Sequence, residues 1–381
     1  MLLNKKRVKV EKILFPFIYM VLYRTKIGLK LMDAISKKYP KLVGLFSFLS
    51  VIAGFLGMVV IIGLLVKGTF NFLFLGAPPP VAPLFPGVKT IPGLPILSFF
   101  HWIIAIFILA GVHEFSHGLV SRLYNINVKS SGFAIFSFIL PIIPAAFVEP
   151  DEKELAAKKE REQFGVLAAG SFSNLLTAGV FFLIFAFILA PIVSAITISE
   201  GVLIVKVADD GPSDIAGVNA DEKIISINGN LINSVDDLSE QLADLKENDL
   251  VLLETNSTKY EIVAGAGDGR GYLGLSFYPE KQYIDEKYGA FGGILSWLAL
   301  LFFWIFATNL GVGLFNLLPL GPLDGGKMFY VLCMKIFKKE KTAKKIWIGV
   351  SFFCAALIVI SLLPFLGRLI NFIFGGITGL F

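Results

Sequence analysis

Long apolar runs alternate with short charged stretches along most of this chain. Several runs contain no Asp, Glu, Lys or Arg over about 18 residues or more, which is long enough for a helix to cross the hydrocarbon core of a bilayer. The pattern therefore predicts a polytopic α-helical membrane protein with about five to six spans. The predicted spans cover residues 43–66, 96–122, 164–194, a broken span over 288–337, and 346–367.

Shorter segments between the spans are predicted from the same pattern. Residues 132–148 are apolar but contain Pro141 and Pro144, so we predict a membrane-associated hairpin or re-entrant segment that is buried in protein where it enters the bilayer. Ile13–Tyr23 is too short to span, and we predict that it forms an interfacial amphipathic helix. The highly charged residues 149–163 are predicted to form an exposed amphipathic helix.

The composition changes at residue 200, where charged and apolar positions begin to mix as they do in soluble proteins. Asn228-Gly229 between two apolar runs is a turn signal. Residues 200–286 are therefore predicted to form a small α+β soluble domain inserted between the spans. Its predicted elements are the strands Val202–Val207, Lys223–Ile227, Leu250–Glu254 and Tyr260–Val263 and the helix Asp237–Leu245.

Basic residues cluster beside the spans, and this clustering predicts the orientation of the protein. Residues 1–42 contain eleven Lys and Arg, and residues 327–345 are also rich in Lys. Such flanks face the cytoplasm, so the N-terminal segment is predicted to be cytoplasmic or interfacial. The loop 67–97 and the domain 200–286 then face outward across what we expect to be the cell membrane. We therefore expect these basic residues to interact with the lipid bilayer and not with a nucleic acid.

The rest of the composition agrees with a membrane protein and limits the chemistry. Hydrophobic residues make up 55% of the chain and charged residues 17%. Cys333 and Cys354 are too few for a disulfide framework or for a zinc site made of cysteines alone. No cleavable signal peptide is predicted at the basic N-terminus, and the apolar tail 369–381 is a half-span or remains outside the spans.

The sequence His113-Glu114-Phe-Ser-His117 lies at the end of the second predicted span. Side chains four residues apart share one face of a helix, so both imidazoles can bind one metal ion and Glu114 can reach a water molecule on it. The simpler explanation of these histidines is that each is buried in a protein core and makes an ordinary hydrogen bond there. However, ionisable residues within a membrane are costly and are functional by default.

Zinc in a catalytic site has three protein ligands and one open position, so a third ligand is needed. His101 is twelve residues before His113, about 18 Å along a helix, which is too far away. Asp324 is the sole acid between Glu286 and Glu340 and lies in the broken span, at the same predicted membrane depth as the histidines. We therefore predict one Zn²⁺ per chain with Asp324 as the third ligand. The alternative role for Asp324 is a helix N-cap.

Three motifs in this order resemble those of the site-2 protease family of intramembrane zinc metalloproteases. They are His113-Glu-x-x-His117, Gly170-x-x-x-Asn174 and Asn316-x-x-Pro319-x-x-x-x-Asp324-Gly325. The segment Ala145-Ala-Phe-Val-Glu-Pro150 is similar to the one that joins the first two core helices of the family. The resemblance covers roughly residues 96–199 and 288–340.

The resemblance implies a role for each matching residue. His113, His117 and Asp324 would be metal ligands and Glu114 the general base. Asn174 and Asn316 would hydrogen-bond the substrate backbone or an oxyanion, with a helix–helix hydrogen bond as the alternative for each. The substrates implied are membrane-anchored proteins, cleaved within or near their transmembrane segments.

The inserted domain resembles a PDZ domain. Gly211–Val218 and Lys223–Asn230 are similar to the PDZ stretch of membrane and periplasmic proteases. The resemblance implies a loop that captures the carboxylate of a peptide C-terminus. The candidate loop consists of Tyr272, Leu273, Gly274 and Leu275. The alternative is a structural turn in a domain that only filters bulky substrates.

Three functions remain open on this basis. The first is a zinc intramembrane endopeptidase, and the second is a catalytically silent membrane-bound PDZ adaptor. The intact Glu114 favours the enzyme, because a structural metal site needs no base beside its ligands. The third is a transporter or channel whose polar cluster passes ions through a broken helix. The absence of an obvious internal repeat and the presence of the inserted domain both count against it.

Overall fold

The computed structural model describes residues 8–14, 18–88, 94–138, 140–267 and 270–378. The chain divides into two compact units. Unit 1 comprises Met1–Phe185 and Leu300–Phe381, and unit 2 comprises Ala186–Ala299. Several predictions for the N-terminal segment and the tail concern residues 1–7 and 379–381, which lie outside the described residues.

The secondary structure elements are numbered in chain order through both units. They are β1 (Val8–Leu14), β2 (Ile18–Thr25), α1 (Leu29–Lys38), α2 (Pro40–Phe74), α3 (Phe99–Leu123), β3 (Val128–Phe138), β4 (Leu140–Pro150), α4 (Glu152–Ala156), α5 (Glu160–Ile184), a π-helical turn (Phe185–Leu189), α6 (Ala190–Ala195), β5 (Thr197–Val207), α7 (Pro212–Ile215), β6 (Lys223–Ile227), β7 (Asn230–Leu231), α8 (Val235–Leu242), β8 (Leu250–Thr255), β9 (Lys259–Val263), β10 (Gly265–Gly267), β11 (Arg270–Tyr272), β12 (Leu275–Ile284), a 3₁₀ turn (Glu286–Tyr288), α9 (Gly289–Phe315), α10 (Asp324–Phe337) and α11 (Glu340–Thr378).

Five helices in the described part of the chain are long and apolar enough to cross a membrane, as an integral membrane protein requires. Five agrees with the lower end of the predicted five to six spans. Lipid offers no partner for backbone N–H and C=O groups, and a helix satisfies all of them internally. The five helical segments are Pro40–Phe74, Phe99–Leu123, Glu160–Ala195, Glu286–Phe315 and Glu340–Arg368.

A four-stranded antiparallel sheet in unit 1 corrects one prediction. The strand order is β1-β2-β3-β4, so the amphipathic helix predicted for Ile13–Tyr23 is wrong over residues 13–14 and 18–23, while residues 15–17 lie outside the described residues. β2 pairs with β3 from Ile18 opposite Phe138 to Thr25 opposite Ser131. Its aromatic and branched residues suit a strand once such a partner is present, and that partner lies more than 100 residues away in the sequence.

The predicted hairpin at residues 132–148 is a β-hairpin formed by β3 and β4. Hydrogen bonds between its strands pair backbone N–H and C=O groups that would lack partners in an irregular loop. Pro141 and Pro144 lie in β4, the outer strand of the sheet, where a missing N–H interrupts pairing on one side only.

The single amphipathic helix predicted for residues 149–163 is also wrong, because two helices meet there. The Asp151 side chain caps α4 by accepting hydrogen bonds from the N–H groups of Lys153 and Glu154, at 2.9 and 3.1 Å. The next helix, α5, begins only at Glu160.

The predicted break in the fourth span is present. α9 ends at Phe315, residues 316–323 are not helical, and α10 begins at Asp324. Pro319 and Pro322 cannot donate the backbone hydrogen bonds that a continuous helix would need. The last predicted span lies within α11, and this helix continues through much of the predicted tail to Thr378.

Unit 2 contains a six-stranded antiparallel sheet in the order β12-β5-β6-β8-β9, with β7 paired to β6. The helix α8 begins two residues before the predicted start, because Ser234 forms a capping box with Asp237. The predicted domain 200–286 lies within this unit. Its assignment as a PDZ fold stays a prediction.

A buried carboxylate ties the strands of unit 2 together. Glu222 is 8% exposed. It accepts hydrogen bonds from Thr255 Oγ1 at 2.6 Å, Tyr260 Oη at 2.8 Å and Asn219 Nδ2 at 3.3 Å. Burial raises the pKa of this carboxyl, but these hydrogen bonds outweigh burial and hold the pKa below its ordinary value of 4.5.

Acidification should therefore weaken unit 2. A depressed carboxyl pKa stabilises the fold above the unfolded-state pKa, and the stabilisation is lost as the pH falls through the folded-state value. We expect amide protection of β8 and β9 to decrease below about pH 4.5. Glu222→Gln should show lower protection already at pH 7, because hydrogen bonds to a charged group contribute about 1.5–3 kcal/mol each. The measurement is hydrogen exchange, corrected for its intrinsic pH dependence.

The exposed acid Glu261 on β9 provides the control for this prediction. Glu261→Gln should leave protection at pH 7 unchanged. Equal protection in the wild type and in Glu222→Gln would contradict the assigned role of Glu222.

Candidate metal centre

α3 brings the two motif histidines together. His113 and His117 are four residues apart on one face of this helix, and their Nε2 atoms are 3.1 Å apart. Both residues are buried. His101 lies more than three turns before His113 on the same helix. It is also buried, and its Nδ1 lies 2.6 Å from Ser98 Oγ. It is not part of the histidine cluster.

Asp324 approaches the same point from the start of α10. Its Oδ2 is 3.1 Å from His113 Nε2 and 3.2 Å from His117 Nε2. The N-cap position of α10 is occupied by Leu323, and Asp324 is the first helical residue. The carboxylate thus faces the imidazoles, and its negative charge also suits the N-terminal end of a helix.

The three donor atoms fit a zinc ion. Zinc bonds of about 2.0–2.2 Å in a tetrahedron place the ligand atoms roughly 3.3–3.6 Å apart. The observed separations of 3.1–3.2 Å are within a few tenths of an ångström of that spacing. Two imidazole nitrogens and one carboxylate oxygen are ligands that zinc accepts, and they leave the fourth position open.

Gly170 on α5 keeps space beside these donor atoms. A Cβ at this position would lie 2.3 Å from His117 Nε2 and 2.7 Å from His113 Nε2. No side chain fits there without moving the imidazoles. The sequence motif contained this glycine, but only the packing of α5 on α3 gives the physical reason for it.

The orientation of His117 is set by the backbone of α5. The carbonyl oxygen of Val166 is 2.7 Å from His117 Nδ1. A carbonyl can only accept a hydrogen bond, so Nδ1 carries the hydrogen and the Nε2 lone pair is free for a metal ion.

The two asparagines of the motifs occupy different surroundings. Asn174 is fully buried, and its Nδ2 lies 3.1 Å from His113 Nδ1. This contact matches the alternative of a helix–helix hydrogen bond, and the role of Asn174 toward a substrate stays a prediction. The backbone oxygen of Asn316 accepts a hydrogen bond from Gly325 at 2.8 Å. The role of the Asn316 side chain stays a prediction.

Two glycines after Asp324 allow α10 to begin close to the preceding loop. A Cβ at Gly325 would lie 2.1 Å from the oxygen of Leu317, and one at Gly326 would lie 2.1 Å from the oxygen of Leu320. Both obstacles are backbone atoms and cannot turn away. The Gly-Gly pair therefore fixes the position from which Asp324 reaches the histidines.

Residues of α11 hold this loop from the other side, and sequence reasoning missed them. Ser351 Oγ accepts a hydrogen bond from the N–H of Gly321 and donates one to the oxygen of Pro319, both at 3.1 Å. Trp347 Nε1 donates to the oxygen of Gly326 at 2.9 Å. Serine and tryptophan in an apolar run are common, so the sequence offered no signal for this role.

Removing the Ser351 hydroxyl should loosen the Asp324 segment. In Ser351→Ala the N–H of Gly321 loses its partner, which costs about 1–3 kcal/mol. We expect zinc affinity to fall several-fold, measured by chelator competition in detergent. Ser361→Ala is the matched control on the same helix, because Ser361 Oγ bonds only within α11, to the oxygen of Leu357. Equal affinities in both variants would contradict this role for Ser351.

Glu114 and the metal residues line one cavity of about 1180 Å³. The Glu114 Oε2 atom accepts a hydrogen bond from the N–H of Val148 on β4 at 2.8 Å. This bond fixes one carboxylate oxygen against the sheet and leaves Oε1 available. Glu114 is half-buried, so its carboxylate can meet both the cavity and the protein.

Ion pairs hold β4 in place at the wall of this cavity. Arg24 on β2 pairs with Glu149 at 3.2 Å, and Lys129 on β3 pairs with Asp151 at 2.9 Å. The hydrogen bond to Asp151 raises the pKa of Lys129, and the same bond lowers the pKa of Asp151. Both groups therefore stay charged around neutral pH.

The candidate peptide loop lies in unit 2. Tyr272, Leu273, Gly274 and Leu275 line a small groove together with Leu238 and Leu242 of α8. Their role in peptide binding stays a prediction.

Comparison with known proteins places the chain in a family. Residues 101–359 match the sequence profile of Peptidase family M50. A Methanocaldococcus jannaschii protein, named only as uncharacterized, is 31% identical over 312 residues, covering 79% of this chain and 74% of that protein. A Clostridium perfringens protein named "Putative zinc metalloprotease" is 24% identical over 299 residues, covering 65% of this chain and 86% of that protein. A Fusobacterium nucleatum protein with the same description is 24% identical over 305 residues, covering 64% and 87%. This chain therefore belongs to Peptidase family M50, the site-2 protease family that its motifs resemble.

Proposed function

We propose that this protein is a zinc-dependent intramembrane endopeptidase that hydrolyses peptide bonds in or near the transmembrane segments of membrane-anchored proteins. The observation that carries the proposal is the triangle of His113, His117 and Asp324 donor atoms beside Glu114, on helices of a membrane protein. Membership of Peptidase family M50 and the names of the bacterial relatives support a membrane metalloprotease.

The residues divide the chemistry between them. His113, His117 and Asp324 would hold the zinc ion, which when bound polarises a carbonyl and lowers the pKa of water to about 7. Glu114 Oε1 would accept a proton from the attacking water molecule and deliver it to the nitrogen of the departing peptide. The hydrogen bond from Val148 keeps the Glu114 carboxylate turned toward the cavity during both transfers.

The substrate would bind in an extended form along β4. A peptide bond within a helix is shielded by its own hydrogen bonds, whereas an outer strand offers free N–H and C=O groups to an extended segment. β4 is the outer strand of its sheet, and Val148 brings it to Glu114. The substrate segment must therefore unwind before it reaches the metal residues.

The orientation and the role of the inserted domain are part of the same proposal. The proposed orientation, which the basic flanks support, has the N-terminus and the metal residues toward the cytoplasm and the domain 200–286 on the outer side. There the groove beside Tyr272–Leu275 would bind peptide C-termini. Labelling of single cysteines introduced at exposed positions on each side tests the orientation, which fails if Lys341→Cys and Asp244→Cys are labelled from the same side.

The experiment that tests the enzyme uses the full chain in liposomes with a generic single-span substrate. We expect the wild type to contain about one zinc ion per chain and to cleave the substrate. Glu114→Gln should retain the zinc and lose a factor of about 10²–10⁴ in rate, the usual contribution of a positioned acid–base group. Glu152→Gln, which changes another acid of the same cavity, should cleave like the wild type.

Two other outcomes would lead to different conclusions. Zinc in every variant with no cleavage of any substrate in a panel would favour the silent adaptor. A wild-type protein without zinc after metal supplementation would overturn the metal centre itself.

A further inference from the structure

One stripe of α5 supports both histidines of the metal centre. Val166, Gly170 and Asn174 are spaced by four residues, so they lie on the same face of this helix. Val166 contacts His117, Gly170 leaves space beside both Nε2 atoms, and Asn174 contacts His113. Only the contact to His113 is made by a side chain. The amide of Asn174 can present either its nitrogen, which donates, or its oxygen, which accepts.

The amide of Asn174 is held at this point by its surroundings. Asn174 is 0% exposed, and its Nδ2 is 3.1 Å from His113 Nδ1, whereas its Oδ1 is buried and has no hydrogen-bond partner. Gly313 of α9 packs closely against it, since a Cβ at Gly313 would be 3.1 Å from Asn174 Cβ. The side chain therefore has no route to the cavity, and its amide fits this place with either Nδ2 or Oδ1 toward His113 because the two groups have nearly the same shape.

The two orientations of the Asn174 amide suit different tautomers of His113. An amide NH₂ group can only donate, so with Nδ2 at this place His113 Nδ1 would accept and the hydrogen of the neutral ring would be on Nε2, which lies 3.1 Å from Asp324 Oδ2. Metal binding through Nε2 needs the opposite tautomer, with the hydrogen on Nδ1 and an acceptor next to it.

The other orientation of the Asn174 amide supplies that acceptor. It places Oδ1, which has no other hydrogen-bond partner, next to His113 Nδ1. The Oδ1 atom would then accept from His113 Nδ1–H and direct the Nε2 lone pair toward Asp324 and His117.

We propose that Asn174 is the positioning residue of His113: its amide oxygen accepts a hydrogen bond from His113 Nδ1–H and so selects the metal-binding tautomer of the imidazole. This inference rests on the proposed metal centre. It assigns to Asn174 a role behind the ligands and not one on the substrate. His117 needs no such residue, because the carbonyl of Val166 can only accept.

The test compares zinc affinity of the purified full chain with three substitutions, measured by chelator competition and by the visible spectrum of bound Co²⁺. Asn174→Leu has nearly the same size but offers no acceptor, and we expect zinc to bind about 10–100-fold more weakly, as is usual when an outer-shell partner is lost. Asn174→Asp offers an acceptor in either orientation and should bind within a few-fold of the wild type.

Asn309→Leu is the matched control. Asn309 is likewise 0% exposed in a membrane helix, its Nδ2 bonds the oxygen of Ile305 at 2.8 Å and its Oδ1 is unpartnered. Its loss should leave zinc affinity unchanged. Equal affinity in Asn174→Leu and the wild type, or equally weak binding in Asn174→Asp and Asn174→Leu, would overturn the inference.

These outcomes are separable from failure of the proposed function. Zinc bound equally by the wild type and Asn174→Leu overturns the role of Asn174 alone. A wild type that binds neither zinc nor Co²⁺ overturns the metal centre and this inference with it. If Asn174→Leu does not fold, the Asn174→Asp comparison decides, since weakening of 10-fold or more in that folded variant contradicts an acceptor role.

Discussion

A Gly170→Ala variant should purify with little or no zinc and should not cleave a substrate. The added methyl carbon would lie 2.3 Å from His117 Nε2 and 2.7 Å from His113 Nε2 and Cε1, which real Cβ atoms do not tolerate. The imidazoles must move, because the backbone of α5 is fixed by its packing on α3 and α2 and cannot give way. Movement of about 1 Å separates the donor atoms from Asp324, and the three can then no longer bind one ion.

The same helix contains the control for this prediction. Gly179 faces open space, with no atom within 4 Å of a Cβ at that position. Gly179→Ala should bind zinc normally and should be neutral or stabilising by up to about 1 kcal/mol, since alanine favours a helix more than glycine does. The measurement is zinc content by elemental analysis of the full chain. Normal zinc in Gly170→Ala would show that the space beside the histidines is not needed for the ion.

Replacing Asp324 with alanine should weaken zinc binding and substrate cleavage about as strongly as Gly170→Ala does. The variant loses one of the three donor atoms and leaves two buried imidazoles without the carboxylate that joins them. Loss of an outer-shell partner alone costs about 10–100-fold in metal affinity, so loss of a ligand should exceed 100-fold. The rate of proteolysis should fall together with the affinity for zinc. Excess zinc should restore only a small part of that rate.

Zinc competition and the Co²⁺ spectrum of Asp324→Ala test this prediction. Lys327→Ala changes an exposed residue of the same helix and cavity, and it should bind zinc like the wild type. A Co²⁺ spectrum in Asp324→Ala that matches the wild type would mean that the carboxylate is not a ligand and that its contacts with the histidines are ion pairs only.

The parts of the fold that depend on composition and short spacing could be predicted from the sequence. The long apolar runs became helices because a lipid environment leaves the backbone few alternatives. The pairing of His113 and His117 followed from the period of the helix alone. The break before Asp324 followed from Pro319 and Pro322, which cannot continue a helix.

The predictions that failed concern segments whose partners are distant in the chain. Ile13–Tyr23 is apolar and too short to span, which led to the prediction of an interfacial helix, but β2 pairs with β3 across more than 100 residues and takes a strand conformation. The charged residues 149–163 divide into two helices because Asp151 begins one helix and α5 begins separately at Glu160.

The sequence by itself determined which donor groups this protein has and that the two histidines share one face of an apolar helix, because residue type and local period are properties of the chain. Only the tertiary structure decided how those groups are held. Val166 is 49 residues from His117, Asn174 is 61 residues from His113, and Asp324 is 207 residues from His117. No local period relates residues so far apart, so the outer shell on α5 exists only once the helices have packed together.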